Sequence, residues 1–261
     1  MGKNTHDFKI QSFPRVRIAA VDLISQAKKQ HSIHGLVELD ITKARNKIRE
    51  YMEKTGEKLS FTSFVISCLA KAVDENKNVQ AYRKGKKKLI TFEDVDVNTM
   101  IERDIEGKKM PWTYVVRAAN KKSLKEIHKE IRVAQMQDIG ITDLMKKMKL
   151  YSRVPKFIRN IFWRKYKRNP DLRKRMAGTV SITSIGMFSN NIGWGIPIAY
   201  HTLVVTVGGI GQKPVLINEK IENHEFLTIT ISFDHDIVDG APAARFISRF
   251  TELIEKAYGL N

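Results

Sequence analysis

The 261-residue chain has a single cysteine, Cys68. An intramolecular disulfide is therefore excluded, and this cysteine usage is that of a protein kept in a reducing cytoplasm, the expected location. Cys68 lies in "FTSFVISCLAKAV", where a small buried hydrophobe is expected rather than a nucleophile. Long hydrophobic runs are also missing. The longest, "GIPIAYHTLVVTVGGIG", is broken by His201 and glycines and is too short to span a bilayer. The opening "MGKNTHDFKIQSF" has no apolar core, so no secretory signal is expected there, and Gly2 before Lys3-Asn4-Thr5-His6 is only a weak myristoylation cue. Neither an internal repeat nor a flexible linker divides the chain. The expected organisation is a polar leader over residues 1–12 and one soluble domain over 13–261.

Acidic residues are scarce: 28 Asp and Glu against 46 Lys and Arg give a net charge of +18. Thirteen of the basic residues fall between Lys146 and Arg175, opposed there by Asp171 alone. Residues 144–176 thus read as a basic helical insertion, starting a helix near Pro155 and stopped by Asn169-Pro170. In "VPKFIRNIFWRKYKRNP" the residues Val154, Phe157, Ile158, Ile161, Phe162 and Tyr166 follow helical spacing, with the charges elsewhere. Such a block suits a solvated face, an anionic membrane surface or an acidic protein. Nucleic acid is set aside, because no recognised binding fold accompanies the charge.

What is present alternates irregularly between helix and strand. "RVRIAAVDLISQAKKQ" has helical spacing at Val16, Ala19, Ala20, Leu23 and Ile24, and "IHGLVELDIT" alternates as a strand. Asp40 or Thr42 caps the next helix, which Gly56 closes. "SFTSFVISCLAKAVDEN" is apolar nearly all round and reads as a buried helix. A basic turn at Gly85 leads to strands over Leu89–Phe92 and Val95–Ile101, and another strand follows Pro111. Ser123 caps "LKEIHKEIRVAQMQDIG". The last third, rich in glycine and β-branched residues, reads as several strands. It ends in a helix with Ala244, Ile247, Phe250, Leu253 and Ile254 on one face. The fold class is α/β, a sandwich type.

Two stretches carry chemistry. In "TITISFDHDIVDG", Ile229, Ile231 and Phe233 alternate into a strand that ends at His235, with Asp239 four residues on and Gly240 placed for a tight turn. An imidazole held at a strand end suits base catalysis near neutrality; equally, His235 can hydrogen-bond in a turn while Asp239 caps the following helix. No metal is expected, since the spacing matches no common ligand pattern and His6, His31, His34, His128, His201 and His224 form no second cluster. In "GTVSITSIGMFS", Ser181 and Thr183 share one strand face. That face is either wet or offers a hydroxyl to a developing oxyanion.

Taken together and in this order, these stretches resemble the catalytic domain of the dihydrolipoamide acyltransferases of 2-oxo acid dehydrogenase complexes, and more distantly chloramphenicol acetyltransferase. "SFDHDIVDGAPAARFI" is similar to the family's His-x-x-x-Asp-Gly signature and closing helix, and "GTVSITSIGMFS" to its Thr-Phe-Thr-Ile-Ser-Asn-Leu-Gly strand. "YVVRAANKKSLKEIHKEI" and, more loosely, "RVRIAAVDLISQ" resemble two further blocks, so the likeness runs from about Phe13 to the end. The resemblance implies a chloramphenicol acetyltransferase-like sandwich of a mixed β-sheet with helices, assembled as a homotrimer. It implies a coenzyme A-dependent acyltransferase acting on a thiol, hydroxyl or amine acceptor, either a small molecule or a carrier protein, with each site at a subunit interface. By position, His235 is the expected general base and Thr183 the oxyanion donor. Asp239 is the structural aspartate, paired with an arginine of the first helix, Arg17 or next to it Arg15. No residue is assigned to coenzyme A.

Three departures stand out. Asp236 follows the histidine where the family commonly has arginine. The resemblance covers no lipoyl or subunit-binding domain, so a lipoyl acceptor is expected from another protein and a core dehydrogenase subunit is not. The segment "KKMPWTYVV", in which a family proline is displaced to Pro111 and Trp112 is added, is expected to shape the acceptor pocket. The competing readings are a non-catalytic trimeric scaffold and a membrane-surface adaptor built on the basic helix.

Overall fold

A computed structural model of the chain describes residues 8–85, 87–105, 108–136, 146, 149–186 and 192–260. Its centre is a six-stranded mixed sheet in the order β1-β8-β7-β6-β4-β5. These strands are β1 (Ser32–Asp40), β4 (Val97–Ile105), β5 (Lys108–Val116), β6 (Val180–Ser184), β7 (Leu203–Ile217) and β8 (Lys220–Asp234). Strand β6 runs parallel to both β4 and β7, and every other pairing is antiparallel. A separate two-stranded ribbon, β2 (Tyr82–Lys84) with β3 (Lys88–Ile90), carries the basic turn, where Gly85 takes φ +66°. The expected mixed α/β architecture is the one observed. The second strand after that turn is Val97–Ile105 rather than Val95–Ile101, and it pairs with β5. Pro111 sits within β5, the edge strand, where a missing N–H is tolerated.

Alternation divides the sheet into two faces. Val180 and Ile182, Leu203, Val205 and Val207, and Leu227, Ile229, Ile231 and Phe233 face the helices and are buried in one core. The helices on that side are α2 (Thr42–Thr55), α3 (Phe61–Glu75), α4 (Leu124–Met136) and α7 (Gly240–Glu255). α3 is buried almost all round, and Cys68 lies inside it, with burial pushing its thiol pKa up. Ser60 accepts the Ser63 N–H at its start. Ile41, not Asp40 or Thr42, holds the N-cap position of α2; Asp40, one residue earlier, accepts the Thr42 N–H at 2.9 Å, and Gly56 ends the helix at φ +72°. Ser123 and Glu126 make a reciprocal capping box at α4. The buried face of α7 is Ala243, Phe246, Phe250, Leu253 and Ile254, one residue out of phase with the expected Ala244 and Ile247. The stacked Phe246–Phe250 pair sets the helix's rotation: Ala244 is exposed and Ile247 only flanks the core.

Helix α1 (Ile18–Ala27) buries only Ala27 and leaves Val21, Leu23 and Ile24 exposed. The basic segment forms two helices, α5 (Lys156–Arg168) and α6 (Pro170–Ala177), with Asn169 capping α6 by accepting the Leu172 N–H at 3.0 Å. Its packed side is Phe162, Trp163 and Tyr166 against Tyr200, ring to ring at 5.4–6.2 Å. Of the residues expected to share one face, Phe157, Ile158 and Ile161 are instead exposed. No helix among the described residues is long and apolar enough to cross a membrane.

Beside this ring cluster His201 is fully buried, its Nε2 donating to the Ala177 carbonyl at 2.8 Å, and burial lowers its pKa to about 4. The unfolded chain takes up a proton near 6.5 and the folded chain does not until about 4. The stability from a neutral His201 is therefore complete above pH 6.5 and is lost as pH falls toward 4, by about 3 kcal/mol. Urea midpoints at pH 7 and pH 4.5 should fall less for His201→Gln than for the unsubstituted chain; equal falls would show that His201 does not titrate in this window.

Candidate active site

The site is built first from the end of β8. The last ladder pair is Ser32 with Asp234, and one step further the His235 N–H donates to the His31 carbonyl at 2.7 Å. That bond carries the strand geometry up to His235 and fixes its backbone, while the side chain stays 46% exposed. Beyond it the chain reverses through N–H groups of Ile237 and Val238, both donating to the Asp234 carbonyl at 3.0 Å. Gly240 is not at positive φ, so the reversal precedes it and does not need its freedom.

Asp239 occupies the N-cap position of α7, but its side chain makes no capping hydrogen bond and is 84% exposed. Its Oδ1 lies 3.9 Å from His235 Nδ1, an ion-pair separation too long for a hydrogen bond. Nδ1 is thus the ring nitrogen nearer the carboxylate. Within one chain Arg17 and Arg15 are exposed and take no ion pair among the described residues, Asp239 included. α1 is instead held through its acid. Asp22 accepts Arg159 Nε at 2.7 Å and the Tyr151 hydroxyl at 2.6 Å.

Asp236, the reversed charge after the histidine, turns away from His235 and makes a salt bridge. Its carboxylate accepts His31 Nδ1 at 2.9 Å and Arg83 Nη1 at 3.0 Å. The His31 hydrogen bond and the neighbouring positive charges hold the Asp236 carboxyl below the usual carboxylate range, and the same contact raises the His31 pKa. Asp234 is buried, and desolvation raises its pKa. These partners come from the residue before β1 and from the middle of β2, far in sequence, and nothing in the local pattern announces them.

Thr183 lies in β6 opposite Thr206 of β7, which lies opposite Thr230 of β8. The three form a row across the face away from the helices. Thr206 and Thr230 are fully buried with hydroxyls that find no partner among the described residues. This face is therefore not simply wet. The segment Ile192–Gly195 crosses it: Gly193 accepts the Thr228 hydroxyl at 2.7 Å, and a Cβ added at Gly208 would lie 2.3 Å from the Gly193 carbonyl oxygen. Thr183 itself is half-buried and lines a cavity of about 190 Å³ with Met100, Glu102, Pro111 and Ile185. Pro111 thus lines the space beside Thr183. Trp112 does not, because alternation turns it to the core side, where the Arg103 guanidinium lies 5.9 Å from its ring.

One chain does not bring its histidine and threonine together. Thr183 and His235 are separated by two inter-strand steps and five residues along β8, which is roughly 20 Å at ordinary sheet spacing. Proton transfer and oxyanion stabilisation act over hydrogen-bond distances. Among the described residues no group of three or more His, Cys, Asp or Glu side chains converges as metal ligands.

Comparison with known proteins fits this arrangement. The family model of the 2-oxoacid dehydrogenases acyltransferase (catalytic domain) matches residues 5–138 and 161–260, passing over 139–160. The chain belongs to this family. It is 25% identical, over 99% of its length and 53% of the relative's, to the dihydrolipoyllysine-residue acetyltransferase component of the pyruvate dehydrogenase complex of Zymomonas mobilis. It is 25% identical, over 92% of its length and 51% of the relative's, to the dihydrolipoyllysine-residue succinyltransferase component of the 2-oxoglutarate dehydrogenase complex of Staphylococcus epidermidis. The chain thus spans about half the length of the curated relatives it matches. Among solved structures, the dihydrolipoamide acetyltransferase of Azotobacter vinelandii superposes with a TM-score of 0.69 at 18% identity, over 100% of this chain and 97% of that one. That likeness establishes the fold. The structure was determined in work on a serine, a histidine and an asparagine in the catalytic mechanism.

Proposed function

We propose that the protein transfers an acyl group between coenzyme A and a thiol acceptor, in a homotrimer whose sites each take His235 from one copy and Thr183 from the next. The observation that carries this reading is the pairing of spacing with separation. In the Azotobacter protein the intervals from serine to histidine and from histidine to asparagine equal those from Thr183 to His235 and from His235 to Asp239. Here the two functional groups lie roughly 20 Å apart in one chain, a gap that a symmetric neighbour closes without any change of fold.

The chemistry follows from the geometry. His235 Nε2 takes the proton of the acceptor thiol as its sulfur attacks the thioester carbonyl, with Asp239 beside Nδ1 favouring the imidazolium that forms. The Thr183 hydroxyl donates to the oxyanion of the tetrahedral intermediate. The new C–S bond remains, the bond to coenzyme A breaks, and the imidazolium returns its proton to the departing thiolate. Hydroxyl or amine acceptors, small or carrier-borne, fit the same steps. No metal enters the scheme. A cytoplasmic setting and one domain over 13–261 with the basic insertion accompany this reading. Release of free coenzyme A from acetyl-, succinyl- and longer-chain acyl thioesters, assayed with a panel of dithiol, hydroxyl and amine acceptors, tests it. No release and no coenzyme A binding would favour a non-catalytic scaffold on the same fold.

One observation favours an additional role. The exposed Phe157, Ile158 and Ile161 share α5 with exposed Lys156, Arg164 and Lys165, a combination suited to an anionic membrane surface or to an acidic carrier protein. Co-sedimentation with vesicles of anionic phospholipid at low salt, abolished by Phe157→Ser with Ile161→Ser, is the expected result. No sedimentation at low salt would remove the membrane role.

A further inference from the structure

A buried cation with an unpaired donor lies at the junction of α6 and the sheet, at the edge of a cavity. Arg173 is only 8% exposed, its Nε is buried without a hydrogen-bond partner, and no carboxylate lies within ion-pair distance among the described residues. Its guanidinium carbon lies 3.7 Å from the ring centroid of Tyr82 and 5.5 Å from that of Tyr200. The rings offset part of the desolvation of the charge. They accept none of its N–H groups as an anion would, Nε stays unpaired, and a buried charge is normally matched by an anion.

Arg173 lines a cavity of about 320 Å³ together with Lys29, Arg83, Lys167 and Arg168. Only two acids line it. Asp236 is taken by Arg83 and His31, and Asp234 accepts Gln30 Nε2 and the Asp236 N–H, both at 3.2 Å. Lys29, Lys167, Arg168 and Arg173 therefore face the cavity with one carboxylate among them. A single added carboxylate would leave this excess. A phosphomonoester brings between one and two negative charges at neutral pH and three acceptor oxygens, and the guanidinium fork binds it in plane. This cavity shares no residue with the one at Thr183.

We propose that this cavity is a binding site for a phosphomonoester, anchored on Arg173 and closed in by Lys29, Lys167 and Arg168. It stands whether or not the chain transfers acyl groups. Two sources offer that chemistry: the ribose 3′-phosphate of coenzyme A, and a separate small phosphorylated molecule.

The test is binding to the full chain, by calorimetry and thermal melting in phosphate-free buffer, with inorganic phosphate, coenzyme A and 3′-dephospho-coenzyme A as probes. Phosphate is expected to raise the melting temperature in a dose-dependent way. Arg173→Met should weaken phosphate binding roughly 10- to 100-fold, the worth of a lost charge-assisted hydrogen bond. It should leave the melting temperature without phosphate unchanged or higher, because a buried charge has been removed, a result that a purely structural arginine would not give. Lys167→Ala, at an exposed position that does not endanger folding, should weaken phosphate binding by a smaller factor. Coenzyme A binding more tightly than its dephospho form, by a margin lost in Arg173→Met, would assign the phosphate to the donor substrate. Equal binding of the two, with phosphate still bound at Arg173 and not competing, would assign it to a separate ligand. The proposal is overturned if phosphate does not bind, or if neither Arg173→Met nor Lys167→Ala changes the affinity of any phosphorylated probe.

Discussion

His235→Ala is expected to lower the turnover of coenzyme A-dependent acyl transfer about 10²- to 10⁴-fold, the usual worth of a general base. The side chain sits at the end of a strand, its backbone tied to His31, and packs against nothing in the core. Its removal should therefore leave melting temperature and the far-ultraviolet spectrum unchanged. Because the base acts on the proton in flight, the loss should fall on kcat and kcat/KM alike, with coenzyme A affinity preserved. His235→Asn, which keeps polarity and much of the volume but cannot take the proton, should be as impaired as the alanine variant. Wild-type turnover in either variant would remove His235 from the reaction and the acyl-transfer reading with it.

Thr183→Ala should cost about 10²- to 10³-fold in kcat, as expected for the loss of one oxyanion donor, while Thr183→Ser keeps the hydroxyl and most of the rate. A stronger test uses both variants. If each site joins the histidine of one copy to the threonine of the next, chains carrying His235→Ala and chains carrying Thr183→Ala, unfolded and reassembled together, should regain activity. About a quarter of the interfaces in a random ring then pair two intact groups. Each variant alone stays inactive under the same treatment. A mixture as inactive as its components would mean that the roughly 20 Å between Thr183 and His235 must be closed within one chain, and the two-copy site would be wrong.

Local chemistry was readable where it depends on near neighbours. The Ser123–Glu126 capping box, Gly56 at φ +72° and the strand running into His235 are each decided within a few residues. On α7 the spacing places Phe250, Leu253 and Ile254 correctly, but its first turns bury Ala243 and Phe246 in place of Ala244 and Ile247, because Phe246 stacks on Phe250. Non-local choices were not readable. The burial of Thr206 and Thr230 depends on register and on a crossing segment, neither encoded in the alternation of a strand. Arg173 looks like any other charge in a run of thirteen; Tyr82 and Tyr200, from different parts of the chain, make it a buried one. Likewise the hold on α1 through Asp22 depends on Tyr151 and Arg159, 129 and 137 positions away, and nothing in the spacing of the first helix announces it.

That anchor bears on how such a chain can change over time. Both partners of Asp22, Tyr151 and Arg159, lie in the stretch that the family model passes over. What reads as an added segment is thus a brace for the first helix, which itself buries only Ala27. Losing the segment would strand a carboxylate that has no other holder among the described residues. Segment and helix stand or fall together: whatever loosens residues 151–159 sets the entry to the whole domain adrift with them.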